Sequence, residues 1–249
     1  TQHRRPLPAR LLRAFLFQHL VVSPALLSVA GFLLYVYQAT GLQRLLRATG
    51  LLKLLGRLGQ LERLTPRAEW PFFFRHIGKT FPAEGARRYK VGFLAGCIAN
   101  VCFARLNEAT VRVLQKNGCE VVVPEGQGCC GALHAHVGLR RKAQELARRT
   151  IDTFLSGDYD VILNNAGGCG AALKEYPELL ELDPAYAGKA RQFRARLKDV
   201  NEFLAEIELN PAMARIEHVV TYQDSCHLAH GQKVRSAPRK LLRAVPGLT

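Results

Sequence analysis

Gln127-Gly128-Cys129-Cys130-Gly131 is the stretch on which the reading of this chain turns. Two adjacent cysteines stand between glycines, just after Glu120–Val123, an apolar run with the texture of a short strand. An extended peptide points neighbouring side chains to opposite faces, so adjacent cysteines do not readily bond to each other. Both can reach a metal centre lying over the loop, and the flanking glycines let the backbone approach it closely. A glycine-flanked loop is a poor place for two inert thiols.

Working outward, the chain from Lys90 alternates between strand and helix. Val91–Leu94 reads as a strand ending in Ala95-Gly96-Cys97, and Asn107–Lys116 as an amphipathic helix closed by Asn117-Gly118. Glu120–Val123 is the second strand and Leu139–Leu155 the second helix. Tyr159–Leu163 is the third strand, leading into Ala166-Gly167-Gly168-Cys169-Gly170. One or two helices follow over Ala185–Ile207, and His218–Tyr222 reads as a fourth strand before Cys226. This alternation predicts an α/β fold, a parallel sheet with crossover helices, preceded by a basic helical segment. Cys97, Cys129, Cys130, Cys169 and Cys226 all follow the ends of predicted strands. Open parallel sheets bind ligands outside the carboxyl ends of their strands, so these cysteines are expected to converge on one edge.

The N-terminal part has a different character. Residues 1–90 hold 15 Lys/Arg against 3 Asp/Glu, and residues 91–249 hold 20 against 17, so the formal charge of +15 belongs mostly to the first segment. Such a surface suits acidic lipid or an acidic partner subunit; the basic–aromatic interleaving of RNA-binding segments is absent, and nucleic acid is not expected as a partner. Residues 1–65 read as helical. No formal charge occurs between Ala14 and Gln43, but Ser23-Pro24 breaks that run and leaves 13 apolar-biased residues, Ala25–Tyr37. Two helices packed on a protein core are expected there rather than a membrane span, with a helix lying on a membrane surface as the alternative. Residues 65–90 read as a Pro-rich linker whose Trp70, Phe72, Phe73 and Phe74 pack on the core. The expected division is 1–89 for helices and linker, 90–215 for a first cysteine-rich repeat, and 216–249 for the start of a second. The chain does not begin with Met, and a piece of a longer protein is expected.

Seven cysteines in a protein of this size suggest a reducing, cytoplasmic setting with metal-binding thiolates rather than a disulfide framework. Cys102 and Cys119 read as ordinary buried thiols. Four thiolates, Cys97, Cys129, Cys130 and Cys169, suit either tetrahedral zinc or an iron–sulfur cluster, and their spacing matches neither a zinc ribbon nor a compact ferredoxin run. His134, His136, His227 and His230 offer acid–base chemistry, but no Ser/His/Asp arrangement and no GxGxxG fingerprint accompany them, so no catalytic residue is assigned.

The cysteine pattern itself is specific. Cys97, 31 residues, Cys129-Cys130-Gly131, 34 residues and a four-residue box ending in Cys169 resemble the CCG cysteine-rich domain. That domain occurs in heterodisulfide reductase, in anaerobic glycerol-3-phosphate dehydrogenase, in lactate-utilisation proteins and in the iron–sulfur subunit of glycolate oxidase. Gly128-Cys129-Cys130-Gly131-Ala132, Gly168-Cys169-Gly170-Ala171, Lys174-Glu175-Tyr176 and Cys226-His227-Leu228-Ala229-His230-Gly231-Gln232 are most similar to the last. The resemblance implies an electron-transfer subunit of an oxidoreductase, with flavin-containing partner subunits that oxidise glycolate to glyoxylate. It further implies delivery of electrons toward the membrane quinone pool, with contact at the inner face of the membrane. The family box closes with CxxC, whereas Ala166 holds the first of those positions here. With four cysteines left, the resemblance implies a conventional [4Fe–4S] cluster on Cys97, Cys129, Cys130 and Cys169, with Cys226 as a metal ligand of the second repeat. The family's N-terminal two-cluster ferredoxin module and complete second repeat are not in the sequence. The alternatives are a zinc-stabilised docking module and the iron–sulfur subunit of a lactate or glycerol-3-phosphate dehydrogenase.

Overall fold

The computed structural model describes residues 7–249. Two compact units form: one comprises the chain up to Arg75 together with Cys97–Leu106, the other His76–Gly96 and Asn107–Thr249.

The first unit is helical. Helix α1 spans Leu7–Phe15 and runs into a π-helical turn, Leu16–Leu20; α2 spans Pro24–Ala39, α3 Leu42–Ala48 and α4 Arg57–Arg63. Ser23 caps α2, its hydroxyl accepting from Leu26 N at 3.3 Å, and Pro24 occupies the first turn where its missing N–H costs nothing. The expected two helices packed on a core hold only along a narrow stripe. Leu27 and Gly31 are the buried residues of α2, while Leu26, Val29, Phe32, Leu33 and Val36 face outward. The reason is compositional: α2 is apolar all round, so a single packed face leaves apolar side chains on the others. Gly31 marks the contact, because a Cβ there would stand 2.7 Å from Val101 Cγ1 and 3.0 Å from Phe72 Cζ. Helix α5, Ile98–Cys102, supplies that valine. Phe72 and Phe73 are buried as expected, whereas Trp70 is 46% exposed, edge-on to Phe32 and to Phe72 at 5.1 Å each. Among the described residues no single helix is long and apolar enough to cross a membrane; Ala9–Leu20 and Pro24–Ala39 pass that test together, as a pair bent by 113°.

The second unit holds a five-stranded sheet in the order β1-β3-β2-β4-β5. The strands are β1 Thr80–Phe81, β2 Tyr89–Leu94, β3 Cys119–Val122, β4 Val161–Asn164 and β5 Leu197–Asp199. β2 pairs in parallel with β3 and β4, β4 pairs in parallel with β5, and only β1 is antiparallel. Helices α6 (Ala104–Lys116), α7 (Ala132–His136), α8 (Arg140–Leu155), α9 (Gly167–Lys174), α10 (Tyr176–Leu179), α11 (Ala187–Arg196), α12 (Val200–Glu206) and α13 (Ser236–Ala244) complete the order. Buried residues from β2, β4, α8, α9, α10 and α11, among them Leu94, Ile151, Phe154, Ile162, Leu173 and Phe193, form one core cluster. Strands buried on every residue with no polar alternation, such as Val161–Asn164, are what a sheet covered on both faces requires.

Two expectations are corrected. The stretch over Ala185–Ile207 holds two helices, α11 and α12, as expected, but it also holds an unexpected strand between them, because Leu197–Asp199 pairs beside β4 as β5. His218–Tyr222 is not a strand: it makes one isolated bridge, His218 to Leu248, and Val219 is 87% exposed. Its valines have strand propensity, but no neighbouring strand of the sheet pairs with it, and propensity without a ladder does not make a strand. The predicted linker also supplies β1, which pairs Thr80 with Val122 and Phe81 with Val121.

Candidate metal centre

In the strand order the connection leaving β2 runs to β3 on one flank, and the connection leaving β4 runs to β5 on the other. A crevice therefore opens at the carboxyl ends of β2 and β4, the topological switch point of the sheet. The loop after β3 carries Cys129 and Cys130, and the helix after β4 carries Cys169. Each cysteine loop is pinned by buried amides. Gln127, 4% exposed, accepts from Ala95 N at 2.9 Å and donates to Phe93 O and Pro124 O at 3.2 Å each, tying the double-cysteine loop to the end of β2. Asn164 donates to Leu94 O at 2.9 Å and accepts from Ala166 N at 3.0 Å. Asn165 donates to Asn107 Oδ1 at 2.9 Å and to Thr110 Oγ1 at 3.0 Å, while Asn107 donates to Ala95 O at 3.2 Å. None of these amides stands out in the sequence except the Asn164-Asn165 pair at the end of β4, where buried backbone groups need partners.

Three thiols lie near one another here. The Cys130 thiol lies near enough to Cys129 and Cys169 for both to shift its pKa, and it is buried, as is Cys129; Cys169 is half-buried. Cys129 pulls the Cys130 pKa down, but Cys169 and burial outweigh it and hold the thiol well above its ordinary value. Two backbone amides at the start of α7 address the sulfurs: Gly131 N donates to Cys129 Sγ at 3.4 Å, and Ala132 N–H bonds to Cys130. Gly131 adopts φ +83°, a left-handed conformation that glycine tolerates in the tight turn where its amide meets Cys129. Tyr176, fully buried in α10, donates its hydroxyl to Cys130 O at 2.8 Å and stacks on Phe193 at 5.5 Å. Burial, with the neighbouring Cys130, Cys129 and Cys169, raises its pKa far above normal, so it stays a donor.

The remaining candidates are placed as follows. Cys97 caps α5 one peptide bond past Gly96, at the exit of β2, and is buried. Cys226 is exposed and begins a π-helical turn, His227–Gly231, that packs on α9. Gln232 donates to Gly167 O at 3.1 Å, and the ring of His227 lies 6.1 Å from that of His136. His134 is fully buried, whereas His136, His227 and His230 are exposed. Cys119 is buried in β3, where burial pushes its thiol up to about 11 and Arg88 pulls it down a little. Cys102 is likewise raised, by burial and then by Glu69. Both behave as core residues.

The donor set fits a thiolate-bound cluster. Three soft sulfur donors lie near one another, two of them buried, amide N–H groups are aimed at those two, and a Cβ added at Gly128 or Gly168 meets nothing within 4 Å, so space lies against both loops. Among the described residues, no three His, Cys, Asp or Glu side chains stand close enough together to hold a metal ion as they are, so the sulfurs must draw together to take one. The thiols must also give up their protons to take a metal.

Thiols gathered at the carboxyl edge of a parallel sheet define a cysteine-rich α/β metal-binding domain. Comparison with known proteins makes the assignment specific. The cysteine-rich domain (CCG) family matches residues 91–174 and 220–249, and the linker region of the glycolate oxidase iron–sulfur subunit matches residues 8–65. The chain is 36% identical over 247 residues, 98% of its length, to the probable glycolate oxidase iron–sulfur subunit of Bacillus subtilis, covering 56% of that protein. It is 35% identical over 160 residues to lactate utilization protein A of Bacillus licheniformis, 64% of this chain and 66% of the relative. One of the subunits of fumarate reductase (CoM/CoB) from Methanothermobacter marburgensis is 36% identical over 177 residues, 70% of this chain and 33% of the relative. The chain belongs to the CCG cysteine-rich domain family, and it spans between a third and two thirds of the length of these relatives.

Proposed function

We propose that this chain is the electron-transfer part of an iron–sulfur subunit in a complex that oxidises a 2-hydroxy acid, with glycolate as the substrate and glyoxylate as the product. The observation that carries the reading is the nearness of Cys129, Cys130 and Cys169 to one another on the loop after β3 and the helix after β4, beside the switch of the sheet. The cysteine pattern of the sequence makes Cys97 the fourth ligand of a [4Fe–4S] cluster. When bound, that group supplies one-electron storage. The protein's own contribution is to hold the sulfurs, to donate Gly131 and Ala132 N–H groups to them, and to keep water away through the buried Gln127, Asn164 and Tyr176. Hydrogen bonds to the sulfurs and burial are the levers that set the potential of such a centre. Flavin-containing partner subunits carry out the oxidation, and electrons pass on toward the quinone pool at the inner face of the membrane. Cys226 belongs to a second metal site.

The lactate-utilisation relatives keep a second substrate in view, since lactate and glycolate are both 2-hydroxy acids. One experiment tests the site and another the substrate. Anaerobic reconstitution, with iron and sulfide analysis and electron paramagnetic resonance, is expected to give an iron–sulfur signal. Cys97→Ser, Cys129→Ser, Cys130→Ser and Cys169→Ser are each expected to lose it. In the assembled complex, Cys129→Ser blocks reduction of an external acceptor while glycolate still reduces the flavin. A colourless zinc protein, or unchanged acceptor reduction in Cys129→Ser, overturns the reading. Flavin reduction by lactate and not by glycolate replaces the substrate and keeps the site.

A further inference from the structure

The helical unit holds a second concave feature, separate in its residues from the thiol site. A cavity of about 380 Å³ is lined by Arg44, Arg47, Arg63 and Arg67, with Tyr35 and Gln43 in its wall. Between Leu7 and Ala68 there are eight Lys/Arg and one acidic residue, Glu62. That carboxylate is committed. It accepts from Arg47 Nε and Nη2 at 3.1 Å each, from Gln43 Nε2 at 2.7 Å and from the Tyr37 hydroxyl at 3.2 Å. Arg47 neutralises it, and the bond from Arg47 leads the causes that hold the Glu62 carboxyl below its usual value. The guanidinium groups of Arg44, Arg63 and Arg67 form no hydrogen bond or ion pair with any described residue.

The cavity walls are held in place by the fold. Gln38 on α2 donates to Pro66 O and accepts from Ala68 N, both at 2.9 Å, and so clamps the backbone on either side of Arg67. Arg47 on α3 donates to Glu62 O at 3.2 Å and Thr65 donates to the same carbonyl at 2.7 Å, which fixes the end of α4 that carries Arg63. Three uncommitted guanidinium groups are thus presented around one opening by a scaffold that forms without any ligand. Like charges so gathered repel one another, and an anion relieves that repulsion. Guanidinium forks match the oxygens of phosphate two at a time.

We propose that this cavity binds a phosphate group through Arg44, Arg63 and Arg67. Three free positive charges exceed what one carboxylate neutralises and suit a multiply charged oxyanion. Leu42 and Leu45 on α3, Leu61 on α4 and Leu64 just past it are exposed, so apolar surface is carried by the same segments as Arg44 and Arg63. The headgroup of an anionic phospholipid and a soluble phosphate ester share this chemistry. Phosphate binding here is independent of any redox role of the thiols.

The test uses the whole reconstituted chain and three measurements. Inorganic phosphate is titrated while the melting temperature is followed. Glycerol phosphate is titrated in the same way. Flotation is measured with vesicles of phosphatidylcholine alone and of phosphatidylcholine with phosphatidylglycerol. Saturable stabilisation by the soluble phosphates, or flotation only with the phosphatidylglycerol vesicles, is expected; the first outcome points to a soluble ester and the second to a headgroup. Arg44→Gln/Arg63→Gln/Arg67→Gln is expected to weaken the response by about threefold or more, taking each exposed charge at the low end of its range. A control of equal charge, Arg10→Gln/Arg57→Gln/Arg112→Gln, keeps it. Arg67→Gln alone, expected to lose part of the response, serves if the triple variant folds poorly. Equal responses in the pocket and control variants, flotation with both vesicle types alike, or no response to any of the ligands overturns the proposal.

Discussion

The double-cysteine loop hangs on the hydroxyl of Tyr176. It donates to the carbonyl of Cys130 at 2.8 Å from a side chain that is 1% exposed, while its ring stacks on Phe193. Tyr176→Phe keeps the ring and removes only the donor. The Cys130 carbonyl then stays buried with one bond missing, which costs about 1–3 kcal/mol. Taking about 2 kcal/mol, and about 2–4 °C of melting temperature per kcal/mol in a chain of this size, the variant melts roughly 4–8 °C lower. The assay is thermal unfolding by circular dichroism on reconstituted protein, beside Tyr186→Phe as a reference. Tyr186 also donates a short bond, 2.6 Å to Asp152 Oδ2, but in an exposed setting. Water replaces that bond, so the reference variant changes little. If Tyr176→Phe lowers the melting temperature no more than Tyr186→Phe does, the hydroxyl is not what holds the double-cysteine loop, and the account of the loop fails.

Other consequences follow from the same geometry. Gly131→Ala puts a Cβ 3.2 Å from Ala143 O in a left-handed conformation that costs an L-residue roughly 1–2 kcal/mol, so iron content per chain and melting temperature both fall; unchanged iron loading refutes the role given to that turn. Burial raises the Asp199 pKa, with bonds from Asn201 opposing, so folding binds its proton more tightly than the unfolded chain does. Its carboxyl therefore favours the fold at low pH and opposes it once pH rises above the folded-state value; Asp199→Asn keeps the α12 cap and gains stability over the parent at neutral pH, and chemical denaturation at acid and neutral pH checks the sign. In metal-free protein, alkylation followed by mass spectrometry labels exposed Cys226 first, Cys169 next, and Cys129 and Cys130 last. Reconstitution protects Cys129, Cys130 and Cys169 together; protection of Cys226 with unprotected Cys169 refutes the grouping.

The amino-acid sequence by itself determined the strand–helix alternation from Lys90 and the strand-end placement of Cys129, Cys130 and Cys169, because both follow from periodicity and from where glycines permit a turn. It also separated the basic helical segment from the rest, since charge is a property of composition. Only the tertiary structure decided what depends on distant partners. β5 exists because Leu197–Asp199 finds β4, and His218–Tyr222 fails to become a strand because no strand of the sheet pairs with it. The amides of Gln127, Asn164, Asn165 and Asn107 look ordinary along the chain; their work is to satisfy polar groups 12 to 70 residues away. The same holds for the arginine-lined cavity, whose walls come from three separate segments. Local preferences act within a few residues, whereas pairing, burial and the gathering of like charges are set by which segments the fold brings side by side.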